Sequence, residues 1–277
     1  VRKFNPNEII LTWDKKLNEG GTNFRKELVP YKEHRDDSEI RKQVYGHIEY
    51  IQPFLDALGI ITLQPYDFEA DDIIAWSTEL LNDHDKLLIT SSDKDLFQCL
   101  NEQVSIYIPS TEKIVTVHNA EEFTHGVNLN NFVLYKAIIG DISDNISGLY
   151  KYGPVKSKRL ADDLFVNQEF NDILAYPASS FNPKKYNLSD DQVETIQRNY
   201  EIMDLFTRNS ALLTEKAKYH EQYEVKRTVE FDTDAFRNLC YLYGFIDFIR
   251  EMSIWRTAFD KNFAKSKKYD LLSHISM

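Results

Sequence analysis

Apolar residues recur along this chain with two periods, and the switching between them predicts its elements. The run Glu8-Ile9-Ile10-Leu11-Thr12-Trp13 is short and nearly continuous, and it stops at Asp14-Lys15-Lys16. That pattern predicts a buried strand delivering a carboxylate at its C-terminal end. Leu17 to about Asp37 carries Gly20-Gly21, many charges and weak periodicity, and is expected to be a loop or arch. From about Ser38 the positions Val44, Ile48, Ile51, Leu55 and Leu58 recur every three or four residues, one face of a helix that Gly59 closes. Ile60 to Leu63 reads as a strand, Phe68 to Leu81 as a helix and Lys86 to Thr90 as a second apolar strand. Val104 to Pro109 and Lys113 to Val117 read as a hairpin at the sheet edge. Strands alternating with helices predict an α/β class, with a mostly parallel sheet flanked by helices.

After about Asn119 the pattern turns helical. Signals include Phe132 to Ile139, Pro154 to Phe165, the capping box Ser189-Asp190-Asp191-Gln192, and an aromatic-rich run from Ala235 to Ile249. Tyr176 to Asn187, with two prolines and two serines, reads as a loop. The change of character divides the chain into an α/β part over 1–130 and a helical part over 131–277.

Composition narrows the classes. With 277 residues, 42% hydrophobic and 13% aromatic, the chain can bury one or two full cores. Cys99 and Cys240 form no CxxC pair, which argues against a disulfide framework or a thiolate zinc site and for a reducing, cytoplasmic setting. No stretch reaches the roughly 20 apolar residues of a membrane span. The net charge of −11 argues against a nucleic-acid partner only if charge is spread evenly. It is not.

Acids gather at four places: Asp14 after a strand, Glu69-Ala70-Asp71-Asp72 at a helix start, Asp93-Lys94-Asp95 after another strand, and Asp141-Ile142-Ser143-Asp144 after a helix. In an open α/β sheet such ends meet in one crevice. Carboxylates converging there repel one another, and a cation relieves the cost. Hard Mg²⁺ or Mn²⁺ suits all-oxygen ligands, and two ions about 4 Å apart clamp a phosphodiester. The chain has no HExxH, GxSxG, Walker A or GxGxxG stretch, so zinc proteolysis, serine hydrolysis, P-loop ATPase and dinucleotide chemistry lack their usual features. Gly148 and Gly153 flank a tight turn that opens a helix bearing Lys156, Lys158 and Arg159, a pattern that receives phosphate. Phe24-Arg25-Lys26 to Tyr31-Lys32 and Arg35 mix aromatic and basic side chains, suited to stacking on a base and gripping a strand.

Taken in order, Trp13-Asp14, Phe24-Arg25 to Tyr31-Lys32 and Arg35, Phe68-Glu69-Ala70-Asp71-Asp72, Ser91-Ser92-Asp93-Lys94-Asp95, Gly140-Asp141-Ile142-Ser143-Asp144-Asn145 and Gly148 to Lys158 resemble the 5′ nuclease or flap endonuclease family. The flavour is that of bacteriophage enzymes of the T4 ribonuclease H and T5 exonuclease kind. The resemblance implies a PIN-like nuclease core, an arch at about 17–40, and a helix-three-turn-helix module in the helical part. It implies one metal group on Asp14, Glu69, Asp71 and Asp93, and a second on Asp95, Asp141 and Asp144, with Asp72 supporting. Lys32 and Arg35 would hold the scissile phosphate and Tyr31 would stack on a base, beside Arg25. Gly148, Gly153, Lys156 and Lys158 would clamp duplex backbone, where relatives also hold K⁺.

Two departures stand out. The chain opens at Val1 without the strand and Asp with which the family begins, so that strand is expected upstream. Tyr150-Lys151-Tyr152 stands where relatives carry a Gly-Ile-Gly type of turn. The implied activity is divalent-metal-dependent 5′-3′ exonuclease and flap endonuclease cleavage of branched, nicked or flapped DNA, and of RNA–DNA hybrid, during replication. Expected associations are a single-strand-binding protein or sliding clamp, with the chain itself a monomer and no membrane partner. The alternative is a catalytically inactive branched-DNA-binding protein of the same fold.

Overall fold

Ile10–Thr12 forms β1, and its neighbour is Ile61–Gln64, β2, in parallel with Ile10 opposite Ile61. The computed structural model describes residues 3–4, 6–14, 25–32, 39–64, 68–206, 224–226 and 231–263. The chain forms two compact units, one of 1–22, 37–73 and 215–277, the other of 23–36 and 74–214.

In the first unit, the amphipathic helix expected over 38–58 is α2, Glu39–Ala57, following the short α1, Arg25–Leu28, of the other unit. Leu55 and Leu58 of its periodic face are buried, whereas Ile51 is 42% exposed. Glu224–Lys226, a strand that sequence patterning did not indicate, pairs antiparallel with β2, so this sheet has one parallel and one antiparallel pair. Leu55, Ala57, Leu58 and Ile60 pack with Phe236, Cys240, Met252 and Phe259, while Ile61, Leu63 and Ile73 form a second cluster. Phe236 lies on Thr233–Tyr243, where the Asp232 carboxylate caps the helix by accepting from the Asp234 and Ala235 amides at 3.1 and 2.9 Å. Burying a ring as fully as Phe236 is worth about 2–3 kcal/mol. The aromatic run does not continue as one helix: Gly244, at φ +74, separates it from Ile246–Arg250, and Tyr241, Leu242 and Phe245 stay exposed.

The second unit is built on β3, Leu87–Thr90, parallel to β4, Val104–Ile108, which turns back to β5, Lys113–Val115, as the expected hairpin. Ile89, Val104, Ile106 and Val115 share one core with Phe132, Leu134 and Ile138 of α4, Leu129–Ile139. The chain then forms β6, Gly140–Asp141, antiparallel to β7, Ile146–Ser147, followed by α5, Pro154–Val166, α6, Phe170–Leu174, and α7, Asp190–Met203. Both halves of the capping box at Ser189 and Gln192 are made. Asn199 of α7 is fully buried and its amide donates to the carbonyls of Ala137 and Ser147, both at 2.9 Å.

Two expectations change. The sheet is not mostly parallel: among the described residues each three-stranded sheet pairs one neighbour parallel and the other antiparallel, because a hairpin strand and a late-returning strand fill the edges. Compactness also divides the chain differently from the change of character near residue 130, since 215–277 supplies strand and core to 37–73, and α4 covers β3 to β5. No helix among the described residues is long and apolar enough to cross a membrane.

Candidate functional site

Each unit carries its own group of carboxylates. In the first, pairing of β1 with β2 runs one residue on, with the Trp13 amide donating to the Leu63 carbonyl at 3.0 Å, and this leaves Asp14 exposed at the strand end. Its Oδ1 accepts from the amide of Ala70 at 2.7 Å, the first residue of α3, Ala70–Thr78. Asp72 turns back to accept from the Glu69 amide at 2.9 Å and is only 2% exposed. Asp14 and Asp72 thus satisfy amides that the helix start leaves open, where the helix dipole favours negative charge. Glu69 and Asp71 stand half-buried beside them. The structure therefore brings together Asp14, Glu69, Asp71 and Asp72, but uses Asp72 first as a cap.

In the second unit a chain of short-range bonds follows β3. Ser91 Oγ accepts from the Asp93 amide at 3.1 Å, and Asp93 Oδ1 accepts from the Asp95 amide at 2.9 Å. Asp95 then meets Lys136, the lone cation of the mostly apolar α4, and the same ammonium donates to Asp141 Oδ2 at 2.8 Å. Asp141 Oδ1 also accepts from the amide and hydroxyl of Ser143 at 2.9 and 2.5 Å. Sequence reasoning missed Lys136. Its signal was present, a single lysine in an apolar helix five residues ahead of Asp141.

The titration of these three groups follows from their surroundings. Burial, together with the like charges of Asp93 and Asp141, raises the Asp95 carboxyl above its ordinary range, and Lys136 offsets this only in part. Burial pushes Asp141 the same way, yet the bonds from Lys136 and Ser143 outweigh it and hold that carboxyl low. For Lys136, burial opposes the charge but the two carboxylates raise its pKa overall.

Asp144 behaves otherwise. It is 9% exposed and its Oδ2 accepts from the Tyr31 hydroxyl at 3.1 Å, with Lys32 Nζ at 4.0 Å from the same oxygen. The Lys32 amide donates to the Asp144 carbonyl at 3.0 Å, and the Asn145 amide group donates to the Pro30 carbonyl at 2.7 Å. These bonds fasten 25–32 to the turn after β6.

The packing places several of the residues expected to meet nucleic acid. Arg25 is 2% exposed, donates from Nε to the Ile202 carbonyl at 2.9 Å and lies over the Tyr31 ring. Tyr31 is 4% exposed with Lys32 Nζ 4.6 Å from its ring centre, so in this structure neither Arg25 nor Tyr31 presents a face to a base. Their burial answers the apolar side chains of Ile146, Ile202 and Met203 around them. Gly148 is required by backbone crossing: a Cβ there would sit 2.0 Å from the Ile139 carbonyl oxygen and 2.7 Å from the Gly140 nitrogen. Gly153 faces open space, and Lys158 is paired with Asp162 at 2.5 Å rather than standing free for phosphate. Lys156 is exposed, its ammonium over the Tyr152 ring. Arg35 and the arch residues 17–24 and 33–38 lie outside the described residues.

The donor chemistry suits a hard divalent cation, since every candidate ligand is a carboxylate oxygen. Among the described residues no three of them already stand close enough to hold one. What the second unit does show is that Asp95 and Asp141 together take a cation, here an ammonium.

Comparisons with known proteins agree with this chemistry. Residues 1–126 match the family described as 5′-3′ exonuclease, N-terminal resolvase-like domain. A 5′-3′ exonuclease of Mycoplasmopsis pulmonis is 31% identical over 166 residues, 59% of this chain and 53% of that protein. DNA polymerase I of Deinococcus radiodurans is 31% identical over 159 residues, 57% of this chain and 16% of that protein. Among solved structures, the T5 5′-exonuclease with divalent metal ions (zinc) bound is 25% identical with a TM-score of 0.60, over 77% of this chain and 80% of that one. The chain spans about half the length of the curated 5′-3′ exonucleases it matches.

Proposed function

We propose, from the match of residues 1–126 to the family described as 5′-3′ exonuclease, N-terminal resolvase-like domain, that the protein is a divalent-metal-dependent, structure-specific 5′ nuclease. It hydrolyses a phosphodiester near the 5′ end of a strand in nicked, branched or flapped DNA, leaving a 5′-phosphate. One observation carries the reading: within the matched residues Asp14, Glu69, Asp71, Asp72, Asp93 and Asp95 all stand where a strand ends or a helix begins.

Asp14, Glu69 and Asp71 of the first unit would serve as ligands to a divalent ion, and so, in the second unit, would Asp93, Asp95 and Asp141. Bound there, such ions supply Lewis acidity toward the phosphoryl group. Lys136 keeps Asp95 and Asp141 paired and oriented toward one point. Lys32 is held by its own amide on the Asp144 carbonyl, which aims its ammonium beside Tyr31 and Asp144. In the proposed reaction that ammonium and the guanidinium of Arg35 add positive charge at the scissile phosphate. Asp144, already taken by Tyr31 and Lys32, positions Lys32 rather than serving as a primary ligand. The helices around the turn at 148–153 are the helix-three-turn-helix module of the proposal, gripping duplex. RNA–DNA hybrid is a second substrate class in this reading.

The test is cleavage of a 5′-labelled flap and of a nicked duplex in Mg²⁺, with EDTA as control and DNA binding measured alongside. Metal-dependent product is expected from the wild type, and Asp14→Ala and Asp93→Ala should abolish it while retaining most of the binding. Full cleavage by either variant would sink the assignment.

A further inference from the structure

Residues 241–248, in the first unit, are exposed one after another, and six of these eight are apolar: Tyr241, Leu242, Tyr243, Phe245, Ile246 and Phe248. Backbone geometry holds them there. Gly244 makes the left-handed turn that ends the helix Thr233–Tyr243, and the Phe245 amide donates back to the Cys240 carbonyl at 2.8 Å. The rings also brace one another: Tyr50 of α2, Tyr243, Phe245, Phe248 and Trp255 of the helix Met252–Phe263 follow in line with centres 5.0 to 6.3 Å apart, spacings at which aromatic pairs attract. Rings steadied in this way lose little freedom on being covered. Size and charge indicate what covers them. With Tyr50, the six leave roughly 700 Å² open, above what a monomer usually exposes in one apolar patch and close to the ~800 Å² that each partner gives to a stable interface. Residues 238–256 carry two acids, Asp247 and Glu251, and two bases, Arg250 and Arg256, so this stretch is neutral in a chain whose net charge is −11. Asp247 and Arg250 already pair with each other. A strongly acidic or basic partner finds no complementary field on such a face, whereas a second copy brings the same rings and the same balanced rim.

We propose that this face is a two-fold interface between two copies of the chain, with the rings of one copy packed on those of the other. The proposal departs from the monomer that the family resemblance implies, and it stands independently of the nuclease reading. In a two-fold arrangement each copy buries the same patch, so one substitution removes the contact twice.

Sedimentation equilibrium of the full chain without DNA, from about 1 to about 100 μM, reads the association directly. The wild type should pass from the mass of one chain toward that of two across this range. Leu242→Glu and Tyr241→Lys alter side chains that are 73% and 61% exposed, and each should weaken association at least tenfold. Their opposite charges separate loss of the face from a change in net charge. Because dimerisation itself raises the unfolding temperature, thermal unfolding is compared at a concentration where the wild type is monomeric, and there the variants should match it. Val166→Glu changes an equally exposed apolar side chain on α5 of the other unit and should associate as the wild type does. A wild type that stays monomeric to about 100 μM would overturn the proposal and leave the face to another segment or partner. Unchanged association in both variants, or equal weakening in Val166→Glu, would overturn it too. So would a lowered unfolding temperature in both Leu242→Glu and Tyr241→Lys, by showing that these side chains serve the fold of a single chain.

Discussion

Lys136 is the side chain on which the second carboxylate group depends, and its surroundings set the response to substitution. Removing one partner of a buried ion pair strands the other charge, so Lys136→Met should destabilise the protein by about 2 kcal/mol or more in EDTA. Millimolar Mg²⁺ should restore part of that loss, and urea unfolding with and without the ion measures both. The two acids should answer pH differently. Asp141 is held below its ordinary range, so its contribution is complete above the usual carboxylate pKa and disappears as pH falls through the lowered value. The gap in urea midpoint between wild type and Asp141→Asn should therefore close toward acid pH. Asp95 is raised, chiefly by burial, so its charge is costly near neutrality and Asp95→Asn should be the milder change there. A larger loss from Asp95→Asn would contradict this ordering.

At the scale of elements, the close pass of the chain at Gly148 against the Ile139–Gly140 backbone decides what the glycines are for. A methyl at Gly148 meets backbone at 2.0 Å and no flexible side chain can give way, so Gly148→Ala should cost about 3 kcal/mol or more. Gly153 has open space and an ordinary φ of −87, and Gly153→Ala should change stability by about 0.5 kcal/mol or less. Thermal unfolding of the pair distinguishes a packing glycine from a permissive one. The short segment 25–32 illustrates the same lesson. Its aromatic and basic residues read in sequence as a nucleic-acid grip, yet Arg25 and Tyr31 spend their polar groups on the Ile202 carbonyl and Asp144. Composition names the chemistry a side chain is capable of, while packing decides which partner it meets.

At the scale of the whole molecule, chain order and compactness part company. The late strand Glu224–Lys226 pairs with β2, and Phe236 and Phe259 fill the core under α2. The helix α4 in turn shares a core with β3, β4 and β5. Division between residues 130 and 131 cuts that second core, so separate fragments 1–130 and 131–277 should fail to fold to native structure. Circular dichroism and limited proteolysis of each fragment check this, and a protease-resistant, cooperatively melting 1–130 would show that the α/β part is autonomous.

Local pattern alone determined α2, β2, β3, the β4–β5 hairpin, the capping box of α7 and the four acidic groups. Each depends on periodicity, a cap or a turn within a few residues, and those interactions are written in adjacent positions. Tertiary structure alone decided the antiparallel edge supplied by 224–226, the exposure of much of the aromatic run after Phe236, the pairing of Lys136 with Asp95 and Asp141, and the burial of Arg25 and Tyr31. Those outcomes join residues up to 177 positions apart, as Arg25 and Ile202 are. No local period encodes such a meeting; burial and the pairing of charge and hydrogen-bonding groups select it once the chain is compact.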